Sequence, residues 1–350
     1  MTLKDLRDDI DRIDARLLSL LDERMEKALL ARSFKAGTAD PAREEAVIER
    51  ITRASRCLAG PEFTRALWKG IMAEASSIQE RKPKKVGFQG EHGANSEVAC
   101  RAWDPAAATM PCREFSDVFD AVRDGLFDFG IVPVENSLGG IVGPVNSILI
   151  NTDLKIVAAM DMSVSHCLLA VPGTDHREIR SAYSHSQALA QCRNFLARNK
   201  LEPRPYYDTA GAARMVSQER RRDTAAIANR FAAEIYDLEI IKDEIQDSPN
   251  NRTRFLVLAK DGSGGEGNKC SAVFSTNDKA GSLFRILEIF AKAEVNLTRI
   301  ESVPDKPGDY AIFVDFDGSE AEPRVAAAIS EASEVAREFR VLGCYVERKL

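Results

Sequence analysis

With 350 residues the chain exceeds one ordinary hydrophobic core, so two or three domains are expected. Its 44% hydrophobic and 29% charged content is that of globular protein, and a formal net charge of -6 argues against nucleic acid as the main partner, because phosphate binding leaves a basic footprint. Seven dispersed cysteines without a C-x-x-C pair read as reduced thiols, four histidines without ligand spacing argue against a metal, and neither a signal peptide nor a run of ~18 apolar residues is visible, so a cytoplasmic protein with no membrane partner is expected.

In chain order, residues 2–36 carry a helical apolar period without Pro or Gly, and Gly37 and Thr38 are expected to end it. Asp40-Pro41 opens a second helix as N-cap and first-turn proline, Gly60-Pro61 breaks again, and 62–80 reads as a third helix. The polar run Glu80–Lys85 is a linker. From Val86, short β-rich runs (VGFQG, FGIVPV, LKIVAAM, HCLLAV, TAAIA, RFLVLA) alternate with helical stretches, which predicts α/β layers. The Gly-rich stretch Asp261–Asn268 is a second linker. Beyond it the spacing predicts a strand at 270–276, a helix at 279–293, strands near 297–303 and 309–316, a helix at 320–334 and a strand at 338–346, the βαββαβ order of a ferredoxin-like module.

Polar residues interrupt the apolar faces of the first three helices. Leu3, Leu6, Ile10, Ile13, Leu17 and Leu20 make a heptad seam expected to be buried, and the next seam position is Arg24. A cation there is costly unless paired. Lys35 returns to nearly the same face about three turns later, with Ala28 and Ala31 between. On the second helix Asp40, Arg43 and Glu44 precede the apolar Val47, Ile48 and Ile51; on the third, Gln79 follows Trp68, Met72 and Ala75. Either an Arg24–Glu44 structural bridge or a polar site satisfies the pattern, and three such helices together favour a site for a small anion. Two shorter helices cannot cover a helix of ~35 residues, about 50 Å long, so a second copy is expected against it, in a homodimer or homotetramer. Arg7, roughly 100° round the helix from Arg24, is free to serve the partner's pocket.

The ordered set Arg7, Arg24, Lys35, Asp40, Arg43, Glu44 and Gln79 resembles the all-helical class of chorismate mutases over residues 1–82. The resemblance implies that the arginines of the long helix, Arg7 and Arg24, bind the two carboxylates of chorismate, one of them from the neighbouring chain. Lys35 and Gln79 are implied to hydrogen-bond the ether oxygen as catalytic residues, and Glu44 to hold the hydroxyl. A Claisen rearrangement needs no nucleophile or base, only a compact conformer and stabilisation of charge on the breaking C–O bond. Ala75 departs from the serine that many members carry four residues before the glutamine.

Further on, polar clusters fall where strands end. The turn GFQGEHGANSE runs into a helix that Asn95 or Ser96 is expected to cap, with free N–H groups open to a carboxylate. Glu135, Asn136 and Ser137 follow one strand, Tyr183–Gln187 and Gln191 another, and Asn251–Phe255 precedes a third. Taken alone, Thr253 reads as a strand-edge threonine satisfied by backbone. The strings VGFQGEHGANSEVA, FSDVFDAV, GIVPVENSLGG, SHCLLAV, AYSHSQALAQC, DTAGAA and NRTRFLVLA, in this order, resemble the prephenate dehydratase family over residues 84–260. That implies two α/β halves around a cleft, like periplasmic binding proteins, and conversion of prephenate to phenylpyruvate with loss of CO2 and hydroxide. It places the catalytic role on Thr253, prephenate contacts on Asn136, Ser184 and Gln191, and lesser ones on Ser137, His185 and Arg254. A neutral donor suits the step: a hydrogen bond to the departing hydroxyl lowers the barrier, whereas a cation tight on the carboxylate would oppose CO2 loss.

Residues 270–350 resemble an ACT regulatory domain through KAGSLF at 279–284 and VNLTRIESVP at 295–304. The resemblance implies phenylalanine as effector, held at Gly281, Leu283, Asn296, Glu301 and Ser302. Ser282 and Val303 depart from the alanine and arginine usual there, and a dimerisation module without ligand remains the other reading. The fold class expected is therefore a helical domain, a two-lobed α/β domain and a βαββαβ α+β domain, with no cofactor and no metal. The activity expected is chorismate to prephenate to phenylpyruvate. Arogenate dehydration on the same fold, or a non-catalytic sensor, are the alternatives.

Overall fold

Thr2 opens the first helix, α1 (Leu3–Arg32), by accepting from Asp5 N–H while the Asp5 carboxylate takes Thr2 N–H. The computed structural model describes residues 2–34, 40–55, 58–262, 267–306 and 309–350, with the backbone alone at Lys4, Asp305, Lys306 and Asp309. Lys35, Gly37, Thr38, Cys57 and the middle of the Gly-rich linker, 263–266, lie outside the described residues. The chain divides into two units, residues 1–84 and 85–350.

In the first unit α1 stops at Arg32 rather than continuing to 36, because Ser33 N–H turns back to the carbonyls of Leu30 and Ala31. In α2 (Pro41–Ala54), the Asp40 side chain accepts from Arg43 N–H at 3.1 Å and Pro41 fills the first turn, as expected from the sequence. Pro61 likewise opens α3 (Pro61–Arg81), which Lys82 closes in the left-handed conformation, φ 48°. The seam is corrected in one respect. Leu3, Leu6, Ile10, Ile13, Leu17 and Leu20 are 43–65% exposed in the single chain. The buried residues of this unit, Leu29, Ile48, Thr64, Ala75 and Gln79, gather α2 and α3 around the second half of α1, and at 14 and 21 residues they leave the first half of a ~45 Å helix bare.

The second unit starts with β1 (Lys85–Gln89), α4 (Asn95–Trp103), β2 (Ala108–Cys112), α5 (Phe115–Arg123), β3 (Phe129–Asn136), β4 (Gly140–Ile141), α6 (Gly143–Asn151) and β5 (Lys155–Ser163). The chain then crosses to a second lobe of β6 (Cys167–Ala170), β7 (Ser181–Ser184), α7 (Ser186–Gln191), α8 (Arg193–Arg198), β8 (Glu202–Pro205), α9 (Thr209–Glu219), β9 (Thr224–Ala228), α10 (Arg230–Ile235) and β10 (Glu239–Lys242). It crosses back to β11 (Arg252–Ala259), then forms β12 (Lys269–Ser275), α11 (Ser282–Lys292), β13 (Leu297–Lys306), β14 (Asp309–Asp317), α12 (Pro323–Val335) and β15 (Glu338–Lys349), the expected βαββαβ order.

The second lobe is one sheet in the order β10-β6-β9-β7-β8. In the first, β11 lies antiparallel between β5 and β3, with β1 and β2 beyond. Two strands of chain therefore join the lobes, and they are bonded to each other: Val164 N–H donates to Asn251 O at 2.8 Å, and Ile245 N–H to His166 O at 2.9 Å. This is the two-lobed arrangement expected. Periodicity did not disclose that the C-terminal sheet, β13-β14-β12-β15, continues into the first lobe, because β15 runs parallel to β5 from Val346↔Ala158 to Lys349↔Asp161. Gly343 permits the approach: a Cβ there would stand 2.1 Å from Ile156 O. The expectation of reduced thiols is also corrected, since the register of β12 on β15 sets Cys270 opposite Cys344 and the two form a disulfide. A separation of 74 residues hides that pairing from any local motif.

Candidate functional site

Two sites can be built from the residues upward. In the helical unit a cavity of about 290 Å³ is lined by Arg24, Asp40, Arg43, Glu44 and Gln79, five of the seven expected residues. Ala28, Ala31 and Ala75 give it room, and the sequence reading missed Arg50 and Ser76. Ser76 supplies a hydroxyl beside the position where Ala75 lacks one. Gln79, 5% exposed, is fixed by donating to Ala28 O. Arg24 makes no ion pair with Glu44 among the described residues. One of its terminal nitrogens, Nη2, faces Met72 Sδ at 2.9 Å, and the other, Nη1, is buried with no hydrogen-bond partner. A buried guanidinium N–H group left unmet is costly, and an anion in the pocket would meet it. Arg7 is exposed on the bare end of α1, 17 residues or about 25 Å away, and lines no part of this cavity.

The second site lies where the two lobe-joining strands meet β3. Asn136, at the end of β3, donates through Nδ2 to Thr253 Oγ1 at 2.9 Å, Asn251 Oδ1 at 2.8 Å and Arg252 O at 3.0 Å. Its Oδ1 collects Gly139 N–H at 2.7 Å and the amides of Gln187 and Gln191 at 3.3 and 3.4 Å. A Cβ at Gly139 would stand 1.8 Å from Gln187 Nε2, so a side chain there would push the Gln187 amide away from Asn136. Gln191 Oε1 in turn accepts from Asn251 at 3.2 Å and from His166 Nε2 at 2.8 Å. Burial, offset in part by the Gln191 bond, lowers the His166 pKa below its ordinary 6.5. The ring is therefore neutral at pH 7, with the proton on Nε2 and a buried Nδ1 that finds no partner among the described residues. Thr253 itself is 8% exposed; its hydroxyl accepts from Asn136 and donates to none of the described residues. The cluster thus leaves one neutral O–H donor uncommitted.

His166 and Asn251 were not singled out from the sequence, although both stand inside quoted strings. Their signal is long-range: 85 residues separate them in the chain, and only the crossing joins them. The other expected residues separate. Ser137 pins the return strand, donating to Asn250 O at 2.7 Å and accepting from Arg252 N–H at 2.9 Å. Ser184 is buried and donates to Ile227 O at 2.6 Å within the second sheet. His185 is exposed and caps α7 by accepting from Gln187 N–H. Arg254 is turned away from the cluster, since successive strand residues face opposite sides. It is bound to Asp315, Glu347 and Tyr345 of the C-terminal module, which hold its guanidinium firmly protonated against its burial.

The Gly-rich turn is also different from expectation. Ala94 is the residue that starts α4, with no side-chain cap, while Asn95 accepts from Asn229 Nδ2 at 2.9 Å. Just before the helix, Gly93 N–H donates to Glu97 Oε2 at 2.7 Å. The turn serves as a latch between lobes. Tyr207 and Arg214 bind Glu91 at 2.7 and 2.8 Å, Asn229 binds Gly93 O, and Tyr236 binds His92 O. Burial alone would raise the fully buried Glu97 carboxyl, but His92, Gly93 N–H and Thr109 override it and hold the pKa down to about 2. Because the folded value lies below the ordinary 4.5, this stabilisation is complete above pH 4.5 and is lost as pH falls towards 2. A shift of that size corresponds to about 3 kcal/mol. Glu97→Gln should accordingly lower the urea midpoint of the second unit at pH 7 and flatten its fall between pH 5 and 3. A midpoint unchanged at pH 7 would refute the role.

In the C-terminal module Gly281, φ 84°, precedes α11, and Leu283 is 38% exposed on its first turn. Asn296 donates to Asp317 Oδ2 at 2.8 Å. Glu301 and the exposed Ser302 lie on β13, an edge strand with no neighbour on its outer side among the described residues. Val303 is buried.

Three family models match the chain in succession. Residues 6–80 match the family model of chorismate mutase type II, 86–263 that of prephenate dehydratase and 271–334 that of the ACT domain. A bifunctional chorismate mutase/prephenate dehydratase of Aquifex aeolicus is 34% identical, covering 98% of this chain and 97% of its own. The chloroplastic arogenate dehydratase/prephenate dehydratase 2 of Arabidopsis thaliana is 39% identical over 77% of this chain and 74% of its own. The structure of a prephenate dehydratase from Arthrobacter aurescens in complex with L-Phe superposes with a TM-score of 0.70 at 30% identity, covering 75% of this chain and 89% of that one. With the dehydratase model matched over half its length, the mutase model before it and the ACT model after it, the chain belongs to the bifunctional chorismate mutase/prephenate dehydratase family.

Proposed function

We propose that the helical unit rearranges chorismate to prephenate, that the two-lobed module converts prephenate to phenylpyruvate, and that phenylalanine restrains the second step through the C-terminal module. The observation that carries the reading is the uncommitted Thr253 hydroxyl, aligned by Asn136 and buried where the lobes join. As the bond to the carboxylate breaks, its electrons enter the ring and the ring hydroxyl leaves with the C–O pair. A hydrogen bond from Thr253 meets the charge growing on that oxygen. Asn136 orients Thr253, and Gln191, Asn251 and His166 hold Asn136; no base is required. In the helical pocket Arg24, Arg43 and, from outside the described residues, Lys35 meet the carboxylates and ether oxygen, Gln79 the same oxygen, and Glu44 the hydroxyl. The pocket's unmet guanidinium supports this assignment.

Arogenate, which carries an amino group where prephenate has its keto group, is the second substrate reading. The Arabidopsis relative named for both activities favours keeping it. A cytoplasmic homodimer or homotetramer completes the reading. Its support is the bare α1 seam and an adjoining apolar groove of about 700 Å³ between α1 and α3. Among the described residues no helix is long and apolar enough to cross a membrane. The test is to give the full chain chorismate and follow phenylpyruvate, run prephenate and arogenate side by side, and titrate phenylalanine. Phenylpyruvate formed from chorismate without an added enzyme, and suppressed by phenylalanine, is the expected result. A chain that turns over neither prephenate nor arogenate is a sensor, and the reading fails.

A further inference from the structure

The residue after Thr253 is anchored outside the catalytic lobe. Arg254, only 12% exposed at its side chain, hydrogen-bonds through Nη1 to Asp315 on β14, through Nε to Glu347 at 2.5 Å and through Nη2 to Tyr345 at 2.9 Å on β15. Asp315 is fully buried. Its Oδ1 accepts from Ser271, and its Oδ2 holds Arg254. A second arginine stands near that same oxygen. Arg299 of β13, opposite Asp315 in register, brings Nη1 to 3.9 Å of Oδ2, too far for a hydrogen bond. Its side chain is 7% exposed, and its Nε and Nη1 find no hydrogen-bond partner among the described residues. The guanidinium lies over the Phe313 ring, and among the described residues the one hydrogen bond that Arg299 makes runs back to the dehydratase module. Nη2 donates to Asn146 Oδ1 at 2.7 Å, and Asn146 Nδ2 donates to Val134 O at 3.1 Å, two residues before Asn136 on β3. One buried carboxylate of the C-terminal sheet thus stands between two arginines, each connected to one member of the Asn136–Thr253 pair.

We propose that Arg254 is a positioning residue for Thr253, that Asp315 holds it there, and that Asp315 is exchanged from Arg254 to Arg299 when an amino acid occupies the β13 segment. The inference rests on the reading that Thr253 is the donor and phenylalanine the effector. Two buried guanidinium groups repel each other, so although a carboxylate oxygen has lone pairs for two donors, closing both on it is disfavoured and two discrete arrangements result. In the arrangement seen here Arg254 has the oxygen and Thr253 is in hydrogen-bond contact with Asn136. Glu301 and Ser302, two and three residues beyond Arg299, lie on the strand where the effector is proposed to bind. A shift of about an ångström in β13 brings Arg299 within bonding distance of Asp315. Arg254 then keeps only Glu347 and Tyr345, and β11 loses the restraint that aligns Thr253.

The test uses the full chain. Asp315→Asn, which keeps the size and the Ser271 contact, should lower dehydratase kcat about 10-fold or more with KM nearly unchanged, the pattern of misplacement rather than lost binding. Phenylalanine should still bind it in equilibrium dialysis without slowing it. Arg299→Gln should leave the basal kcat within about twofold and still bind phenylalanine, yet need at least about 10-fold more for half-inhibition, and Arg299→Lys should restore most of the response. If Asp315→Asn does not fold, Arg254→Lys reads the same hold, with lowered kcat and constant KM expected. Undiminished kcat in both of these variants overturns the positioning role, and full inhibition of Arg299→Gln overturns the exchange. A Thr253→Val chain that still turns over prephenate sinks the underlying functional reading instead, and a parent chain that binds phenylalanine but is not inhibited overturns the exchange alone.

Discussion

Replacing Thr253 with valine should cut prephenate turnover about 10²- to 10⁴-fold while chorismate rearrangement continues at the parent rate. Valine keeps the branched shape and the volume, so the 8% exposed position stays filled and β11 stays paired with β3 and β5. Only the hydroxyl goes. Asn136 Nδ2 retains Asn251 Oδ1 and Arg252 O as acceptors, so the cluster is not left with a stranded donor. The loss should therefore fall on kcat, with the melting temperature of the second unit within a few degrees of the parent. Thr253→Ser keeps the donor and should recover most of the rate. Steady-state kinetics on prephenate settles the matter: a valine variant with more than about a tenth of the parent kcat would mean that another group supplies the hydrogen bond. The mutase rate serves as an internal control, because its pocket lies wholly in residues 1–84.

How the sequence foreshadows this site differs residue by residue. The helical pocket was legible because helix periodicity is local: Arg24, Glu44 and Gln79 stand out by interrupting a stripe whose period is known. The C-terminal strand and helix order was legible for the same reason. Arg254 was misplaced although the means to place it were present, since consecutive residues in a strand face opposite sides and Thr253 already claimed the site. The capping of α4 failed because the side-chain oxygen of Asn95 is engaged by Asn229 Nδ2, 134 residues further on, a pairing that leaves no local mark in the sequence. His166, Asn251, the Cys270–Cys344 pair and the union of β15 with β5 depend on contacts between segments 74 to nearly 200 residues apart. Local pattern carries no information about such pairings. The short strands β8 and β10 escaped for a simpler reason, as four-residue runs, exposed throughout in β8, show no alternation to detect.

Arg24→Met should abolish most chorismate rearrangement and at the same time make the helical unit more stable. The guanidinium reaches into the 290 Å³ cavity with Nη1 buried and unmatched, and Nη2 against a thioether sulfur, a poor acceptor. Without substrate nothing in the described residues repays its desolvation. A methionine of similar length would pack against Met72, Ala28 and Ala75, and exchanging a poorly paired buried charge for an apolar side chain typically gains about 1–4 kcal/mol. With substrate the balance reverses, because a carboxylate supplies the missing charge-assisted bonds, and their loss should lower kcat/KM about 10²- to 10³-fold. Hydrogen exchange of the α3 amides, Pro61–Arg81, in the full chain reads the stability of this unit separately from the rest. Slower exchange with lost mutase activity is the expected pair. Faster exchange would show that Arg24 is a structural member of the seam, satisfied in a way the cavity does not reveal, and would move the carboxylate-binding role to Arg43 and Arg50. The dehydratase rate should not change in either case, because the residues that align Thr253 all belong to the second unit.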